Sequence, residues 1–283
     1  MQIINHLASL RDNVAILQRQ GKKIALVPTM GALHAGHMQL VKTAMSKADA
    51  VVTSIFVNPT QFGEGEDLNA YPRTLEADAK LLEAEGAALV WAPLATEIYP
   101  QGFSTSIHMT GLSDDYCGAA RPGHFDGVAL VVVKLLNQVT PDFAFFGEKD
   151  WQQLAVIRRM ASDLDFAVQV EGVPIVRDSD GLALSSRNRY LSKSERAAAA
   201  ALPAALQKAA KAIGEGADVG DMIGKAIAAL TAAGFTQPDY LTLVDAQSLQ
   251  RLETPIDAPM RLIAAARIGK TRLIDNVAVD LRK

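Results

Sequence analysis

The stretch Val27-Pro-Thr-Met-Gly-Ala-Leu-His-Ala-Gly-His37 decides how this chain is read: an apolar strand runs there into an amphipathic helix, with two imidazoles at the junction. Lys23 to Met30 (K-I-A-L-V-P-T-M) is a mostly apolar run bounded by polar residues, the pattern of a strand buried on both faces. Gly31 and Gly36 let the backbone turn tightly and approach a ligand closely. From His37 onward Leu40, Val41, Ala44, Met45 and Ala48 recur at three- and four-residue spacing, which predicts a helix. The first turn of that helix has N–H groups without intrahelical partners and carries the positive end of the dipole. His34 and His37, three residues apart, can face one anion there. The junction reads as a place to hold phosphates.

Working outward, the alternation of strand and helix continues. Ala50 to Val57 (A-V-V-T-S-I-F-V) and Ala88 to Ala92 (A-L-V-W-A) read as strands around a polar helix at Leu75 to Glu85. Val128 to Val139 reads as a helix, Asp142 to Phe146 as a strand, Trp151 to Leu164 as a helix and Ala167 to Val173 as a strand. Met1 to Lys23 reads as an amphipathic helix rather than a signal peptide, since Leu7, Leu10, Val14 and Leu17 alternate with Arg11, Asp12, Gln18 and Arg19. Such an order predicts an α/β fold, a Rossmann-like doubly wound parallel sheet with right-handed crossovers. Its ligand belongs beyond the carboxyl ends of the strands, where the strand order reverses. After Leu191 the pattern changes: helices at Ala197 to Ile213 and Val219 to Ala233 precede short strands at Tyr240 to Val244, Met260 to Ala266 and Thr271 to Val279. This predicts a nucleotide-binding domain over 1–175 and a smaller α+β C-terminal lid domain over 176–283, joined by a hinge near residues 175 to 188.

The 283 residues, 49% hydrophobic and 21% charged, suffice for one large core and a small second one. A formal charge of −3 gives no electrostatic case for nucleic acid or an anionic membrane. No run approaches transmembrane length. Cys117 is the only cysteine, so no internal disulfide forms, and a reducing cytoplasm is the expected compartment.

Four further segments carry polar groups at strand ends. In Ser54-Ile-Phe-Val-Asn-Pro-Thr-Gln-Phe62, Pro59 stops the ladder after Asn58, and Gln61 offers an amide to a substrate bearing hydroxyls and a carboxylate. Ala120-Arg-Pro-Gly-His-Phe-Asp-Gly127 reads as a loop before the helix at Val128, with Arg121 and His124 favouring phosphate. In Phe145-Phe-Gly-Glu-Lys-Asp-Trp-Gln-Gln-Leu154 the strand ends at Gly147. Lys149 can then neutralise a transferring phosphoryl group, while Asp150 can hold ribose or a metal-bound water. Gln152 and Gln153 cannot both face one way. Finally, Asp180-Gly181 turns into Ser185-Ser186-Arg187-Asn188, a hydroxyl and backbone anion cradle beside a guanidinium.

These segments together resemble a known family. H-x-G-H is the signature of an adenylyl-transferring superfamily, and V-P-T-M-G-A-L-H-x-G-H resembles the pantoate:β-alanine ligases. N-P-T-Q, R-P-G-H-F-x-G-V, G-E-K-D with Q-Q-L, and D-G-L-A-x-S-S-R-N-x-Y-L follow in that family's order over Val27 to Leu191, with Leu184 where Met is as common. The resemblance implies ATP against Met30, Gly31, Ala32, Leu33, His34, Ala35, Gly36 and His37. It also implies ATP against Gly147, Glu148, Lys149, Asp150, Val176, Leu184, Ser185, Ser186 and Arg187. Pantoate is implied at Asn58, Gln61 and Gln153, β-alanine at Gln61, and the triphosphate side of the loop at Arg121 and His124. A homodimer is implied as well.

The implied reaction is condensation of pantoate with β-alanine through a pantoyl adenylate, with release of AMP and pyrophosphate. Charge grows on the phosphorus oxygens, and His34, His37, Lys149 and Arg187 are the positive groups expected to meet it, with Mg²⁺ bridging phosphates. No cluster with metal-ligand spacing is visible, so the magnesium is expected to arrive with the nucleotide. A nucleotidylyltransferase, an aminoacyl-tRNA synthetase fragment and a non-catalytic nucleotide sensor are the competing readings.

Overall fold

The computed structural model describes residues 1–282. In chain order the elements are β1 (Gln2–Ile4), α1 (Leu7–Arg19), β2 (Ile24–Thr29), α2 (Ala35–Met45), β3 (Ala50–Ile55), α3 (Leu75–Ala84) and β4 (Leu89–Trp91). The short helices α4 (Ala95–Ile98) and α5 (Cys117–Ala120) lead into α6 (His124–Val139), β5 (Phe143–Gly147), α7 (Trp151–Asp163) and β6 (Gln169–Val173). The last third holds α8 (Lys193–Ala199), α9 (Ala201–Gly214), α10 (Val219–Ala232), β7 (Tyr240–Asp245), β8 (Met260–Ile268) and β9 (Thr271–Val279).

Six strands form one parallel sheet in the order β1-β4-β3-β2-β5-β6. The order runs outward from β2 through β3 and β4, then restarts on the other side of β2 with β5. The crevice of a doubly wound sheet therefore opens between the ends of β2 and β5. Successive residues of β2 serve opposite faces: Ile24 and Leu26 pack with α1, α6 and α7, while Ala25 and Val27 pack with α2 and α3. Both faces are covered, which is why these strands read as continuous apolar runs. A second core, from Leu182 to Val279, sits between α9, α10 and the antiparallel sheet β7-β8-β9. Among the described residues no helix is long and apolar enough to cross a membrane.

Three local readings differ from expectation. The N-terminal stretch is not one helix: Gln2–Ile4 pairs with β4 at the sheet edge before α1 begins. α6 starts at His124, four residues before Val128. The alanine-rich run is two helices, broken at Ala200, because Pro203 lacks an N–H and its ring collides with the carbonyl of Ala199 in a continuous helix. In the first turn of α9, where N–H groups have no intrahelical partner, the same proline is tolerated.

Candidate active site

At the end of β2 the chain turns through Gly31 and Ala32, both left-handed at φ of 82° and 52°, and enters α2 at Ala35, two residues earlier than expected. A carboxylate from α3 fixes this turn. The Ala32 and Leu33 N–H groups each donate to Asp78 at 2.9 Å, and Thr74 donates to the same group at 3.0 Å. Asp78 is 2% exposed, so these donors supply the hydrogen bonds that water cannot. Ala32 and Leu33, buried in the process, shape the turn rather than face the cleft.

His34 caps α2. Its Nδ1 accepts from the Gly36 N–H at 3.1 Å, and its own N–H donates to His37 Nδ1 at 3.3 Å. A Cβ on Gly36 would lie 2.9 Å from the His34 ring, so glycine is needed there for the two rings to sit with centroids 4.1 Å apart, tilted by 44°. With each Nδ1 accepting a backbone proton, each Nε2 carries the ring hydrogen. Burial, then the Lys149 and Arg189 charges, lowers the His34 pKa to about 4; burial, then His34 and Lys149, lowers His37 to about 3. Both imidazoles are neutral at pH 7. This corrects the expectation that they bring positive charge: they are preorganised N–H donors.

After β3, a single turn over Pro59–Gln61 presents Gln61. Asn58, 1% exposed, donates to Gln61 Oε1 at 3.1 Å and to the Gly127 carbonyl at 3.0 Å, and accepts from the Tyr99 hydroxyl at 2.8 Å. Its amide is fully engaged, so it holds Gln61 rather than offering a free group. Gln61 Nε2 donates to Met30 Sδ at 3.2 Å, leaving its second hydrogen for the cleft. Gly127 lets α6 press on this turn, since a Cβ there would sit 2.2 Å from the Thr60 carbonyl oxygen.

Arg121 and His124 also serve the Gln61 turn. Arg121 donates twice to the Glu66 carboxylate, at 2.6 Å each, and once to His124 Nε2 at 2.9 Å; the His124 Nδ1–H then donates to the Gln61 carbonyl at 2.8 Å. Burial and the Arg121 charge lower the His124 pKa to about 4. Burial pushes Glu66 up, but the Arg121 hydrogen bonds outweigh it and hold the carboxyl at about 2. Both residues line the same cavity as His34 and Lys149, with these polar atoms bonded within the protein.

Beyond β5, Lys149 lies 3.9 Å from Asp150 at the mouth of α7. Of the two glutamines, Gln152 turns inward and is 6% exposed, accepting from the Cys117 N–H and donating to the Leu112 and Asp115 carbonyls, while Gln153 faces the cleft. The Glu148 carboxylate turns away to Arg261 of β8 at 2.9 Å. After β6, Ser185 Oγ accepts from the Arg187 N–H, Ser186 Oγ lies 3.1 Å from the Tyr71 hydroxyl, and the Arg187 guanidinium donates to both oxygens of Asp67 at 2.9 and 3.1 Å.

One cavity of about 240 Å³ collects Met30, His34, Gly36, His37, Gln61, Gly147, Lys149, Asp150, Gln153, Val176, Leu184, Ser185, Ser186 and Arg187. Its floor is the α6 face of Val128, Val131, Val132 and Leu135, so an apolar half faces a half rich in donors. Asp150 is the only carboxylate lining it among the described residues, and no group of three His, Cys, Asp or Glu side chains fit to hold a metal occurs among them. Sequence reasoning missed Asp78, Tyr71 and Asn276. The last left a trace, two adjacent polar residues in the apolar strand Thr271–Val279, both buried.

The pantoate-beta-alanine ligase family pattern matches residues 2–278. A pantothenate synthetase of Sphingopyxis alaskensis is 61% identical over 279 residues, covering 99% of this chain and 100% of that protein. One from Rhizorhabdus wittichii is 59% identical, with 99% of each covered. The crystal structure of the pantothenate synthetase of Thermus thermophilus superposes with a TM-score of 0.94 at 46% identity, over 99% of this chain and 100% of that one. A pantoate-beta-alanine ligase of Francisella tularensis, complexed with beta-gamma ATP and beta-alanine, superposes at 0.83 with 33% identity, over 98% of this chain and 97% of that one. With the sequence pattern, the strand order and the donor-lined crevice in agreement from end to end, this chain belongs to the pantoate-beta-alanine ligase family.

Proposed function

We propose that the cleft between β2 and β5 joins pantoate to β-alanine in two steps, with roles divided among the residues lining it. In the first step a pantoate carboxylate oxygen bonds to the α-phosphorus of ATP and the bond to pyrophosphate breaks. In the second the β-alanine amine attacks the acyl carbon of the pantoyl adenylate, AMP leaves, and the nitrogen loses a proton. No protein nucleophile is required. The observation that carries this reading is that His34 and His37, each held through Nδ1 by a backbone N–H, line the same cavity as Lys149, Gln61 and Gln153.

His34 and His37 donate to phosphate oxygens whose charge grows in the transition state, and Lys149 supplies a full positive charge. Ser185 and Ser186 add hydroxyls. Arg187 joins them by exchanging Asp67 for phosphate. Gln61 and Gln153 orient the pantoate hydroxyls and carboxylate, while the valines and leucine of α6 receive its two methyl groups; Gln61 also faces the incoming amine. Mg²⁺ would arrive as part of the nucleotide substrate, and Asp150, which lines the cavity, would accept from a magnesium-bound water or from ribose. Separate cores, one on each face of the parallel sheet and one under the C-terminal sheet, support a division into residues 1–175, which bind nucleotide and pantoate, and residues 176–283, which cover them. A cytoplasmic homodimer completes the reading, on the likeness to the family and the single cysteine.

The test is release of AMP and pyrophosphate from Mg-ATP with pantoate, with and without β-alanine. Sustained AMP release needing both substrates, with stoichiometric pantothenate, is expected. Lys149→Ala or His34→Ala should slow adenylate formation by about a hundredfold or more while the fold is kept. A near-normal rate in either variant removes that residue from the mechanism.

A further inference from the structure

We infer that Asn276, on the strand β9 of the C-terminal sheet, is a positioning residue that sets where the Lys149 ammonium sits. The Asn276 side chain is 2% exposed, and its Nδ2 donates to two consecutive carbonyls of the turn that carries the lysine, Glu148 at 2.8 Å and Lys149 at 3.0 Å. The orientation of this amide is fixed by its other end. Arg261 is a donor only and donates to Asn276 Oδ1, so the NH₂ must face the two carbonyls.

Arg261 is itself held on three sides, by Asn276, by the Glu148 carboxylate at 2.9 Å and by the Trp151 ring 3.5 Å away. Next to Asn276, Asp275 accepts the Asn276 N–H at 2.7 Å and pairs with Arg177 through two bonds at 2.7 and 2.9 Å. The turn between β5 and α7 is therefore gripped by an amide whose own position is set by two guanidiniums.

A lysine has four side-chain torsions, and fixing the peptide planes on both sides of its Cα narrows the volume the ammonium can sweep. Alignment of a charge with a developing oxyanion is worth most when it is set before the reaction. Asn276 reaches across from the second sheet, so docking of the C-terminal sheet is what places the cation. This inference rests on the reading of Lys149 as the cation that serves phosphoryl transfer.

The experiment is single-turnover formation of pantoyl adenylate, with thermal unfolding of each variant alongside. Asn276→Ala and the near-isosteric Asn276→Asp, which accepts but cannot donate, should each lower the rate about tenfold or more, with KM for ATP changed by less than about threefold. In a Lys149→Ala background the same substitutions should add less than about twofold, because their effect runs through the lysine. A general structural role would instead slow both backgrounds alike, and that result overturns the inference. Full rates in both Asn276 variants overturn it too, and they leave the role of Lys149 standing if Lys149→Ala is slow. A fast Lys149→Ala removes the underlying reading and this inference with it. Should the Asn276 variants not fold, Arg261→Gln keeps the asparagine but frees its amide to flip; it should slow the parent and not the Lys149→Ala background, and equal slowing in both counts against the inference.

Discussion

His34, His37 and His124 are held neutral, and that state has a thermodynamic sign. All three have pKa values lowered in the folded protein, to about 4, 3 and 4, against 6.5 for the free side chain. Below 6.5 the unfolded chain binds protons that the folded one refuses. Their contribution to stability is therefore complete above 6.5 and is lost as pH falls toward the folded values. Glu66, held at about 2 by Arg121, loses its contribution in a separate window below its usual 4.5. Unfolding midpoints followed from about pH 7.5 to about pH 5 should fall, and a His34→Gln/His37→Gln variant should show a slope shallower by up to about two protons. Parallel curves for parent and variant would show that the pair is not held neutral. The identity and spacing of these side chains were legible in the sequence, but their charge was not, because burial and then the neighbouring Lys149 and Arg121 charges set it. Asp78 and Asn276 were out of reach for another reason: their partners stand 46 and 128 positions away.

Among the elements, α6 shows what pattern reading confuses. Arg121 to Gly127 contains Pro122, Gly123 and Gly127, which read as a loop, yet only Gly123 serves a turn, at φ of 77°. Gly127 lies inside the helix because the Thr60–Gln61 backbone crosses it. A glycine kept for close approach and a glycine kept for conformation look the same in one sequence. Gly127→Ala should therefore cost about 1–3 kcal/mol, against the small gain usual for alanine in a helix. It should also raise KM for pantoate, through displacement of Gln61. A variant as stable as the parent, with unchanged KM, would show that α6 and the turn move apart freely. The central strands were legible because covered faces make long apolar runs. β1 was not, being three residues of which only Ile4 is buried.

For the whole molecule, both sheets contribute to one cleft: residues after β2, β3, β5 and β6 line it, and β8 and β9 hold the turn that carries its lysine. The segment Val176–Arg187 passes from one core to the other while lining the cavity, which is the basis for expecting closure on nucleotide. Small-angle scattering should register a smaller radius of gyration with a non-hydrolysable ATP analogue; superimposable curves would count against a hinge there.

The Arg187–Asp67 pair gives the cleft a further property. An intramolecular carboxylate competes for the guanidinium at an effective concentration on the order of millimolar, whatever the solution contains. A lone phosphate or carboxylate below that concentration is not expected to displace it. On the proposed function, a triphosphate meeting the imidazoles and the lysine in the same act would displace Asp67 through several contacts at once. On that reading the ion pair would work as a threshold, admitting anions by how many oxygens they can place together and leaving the commoner small ones in solution.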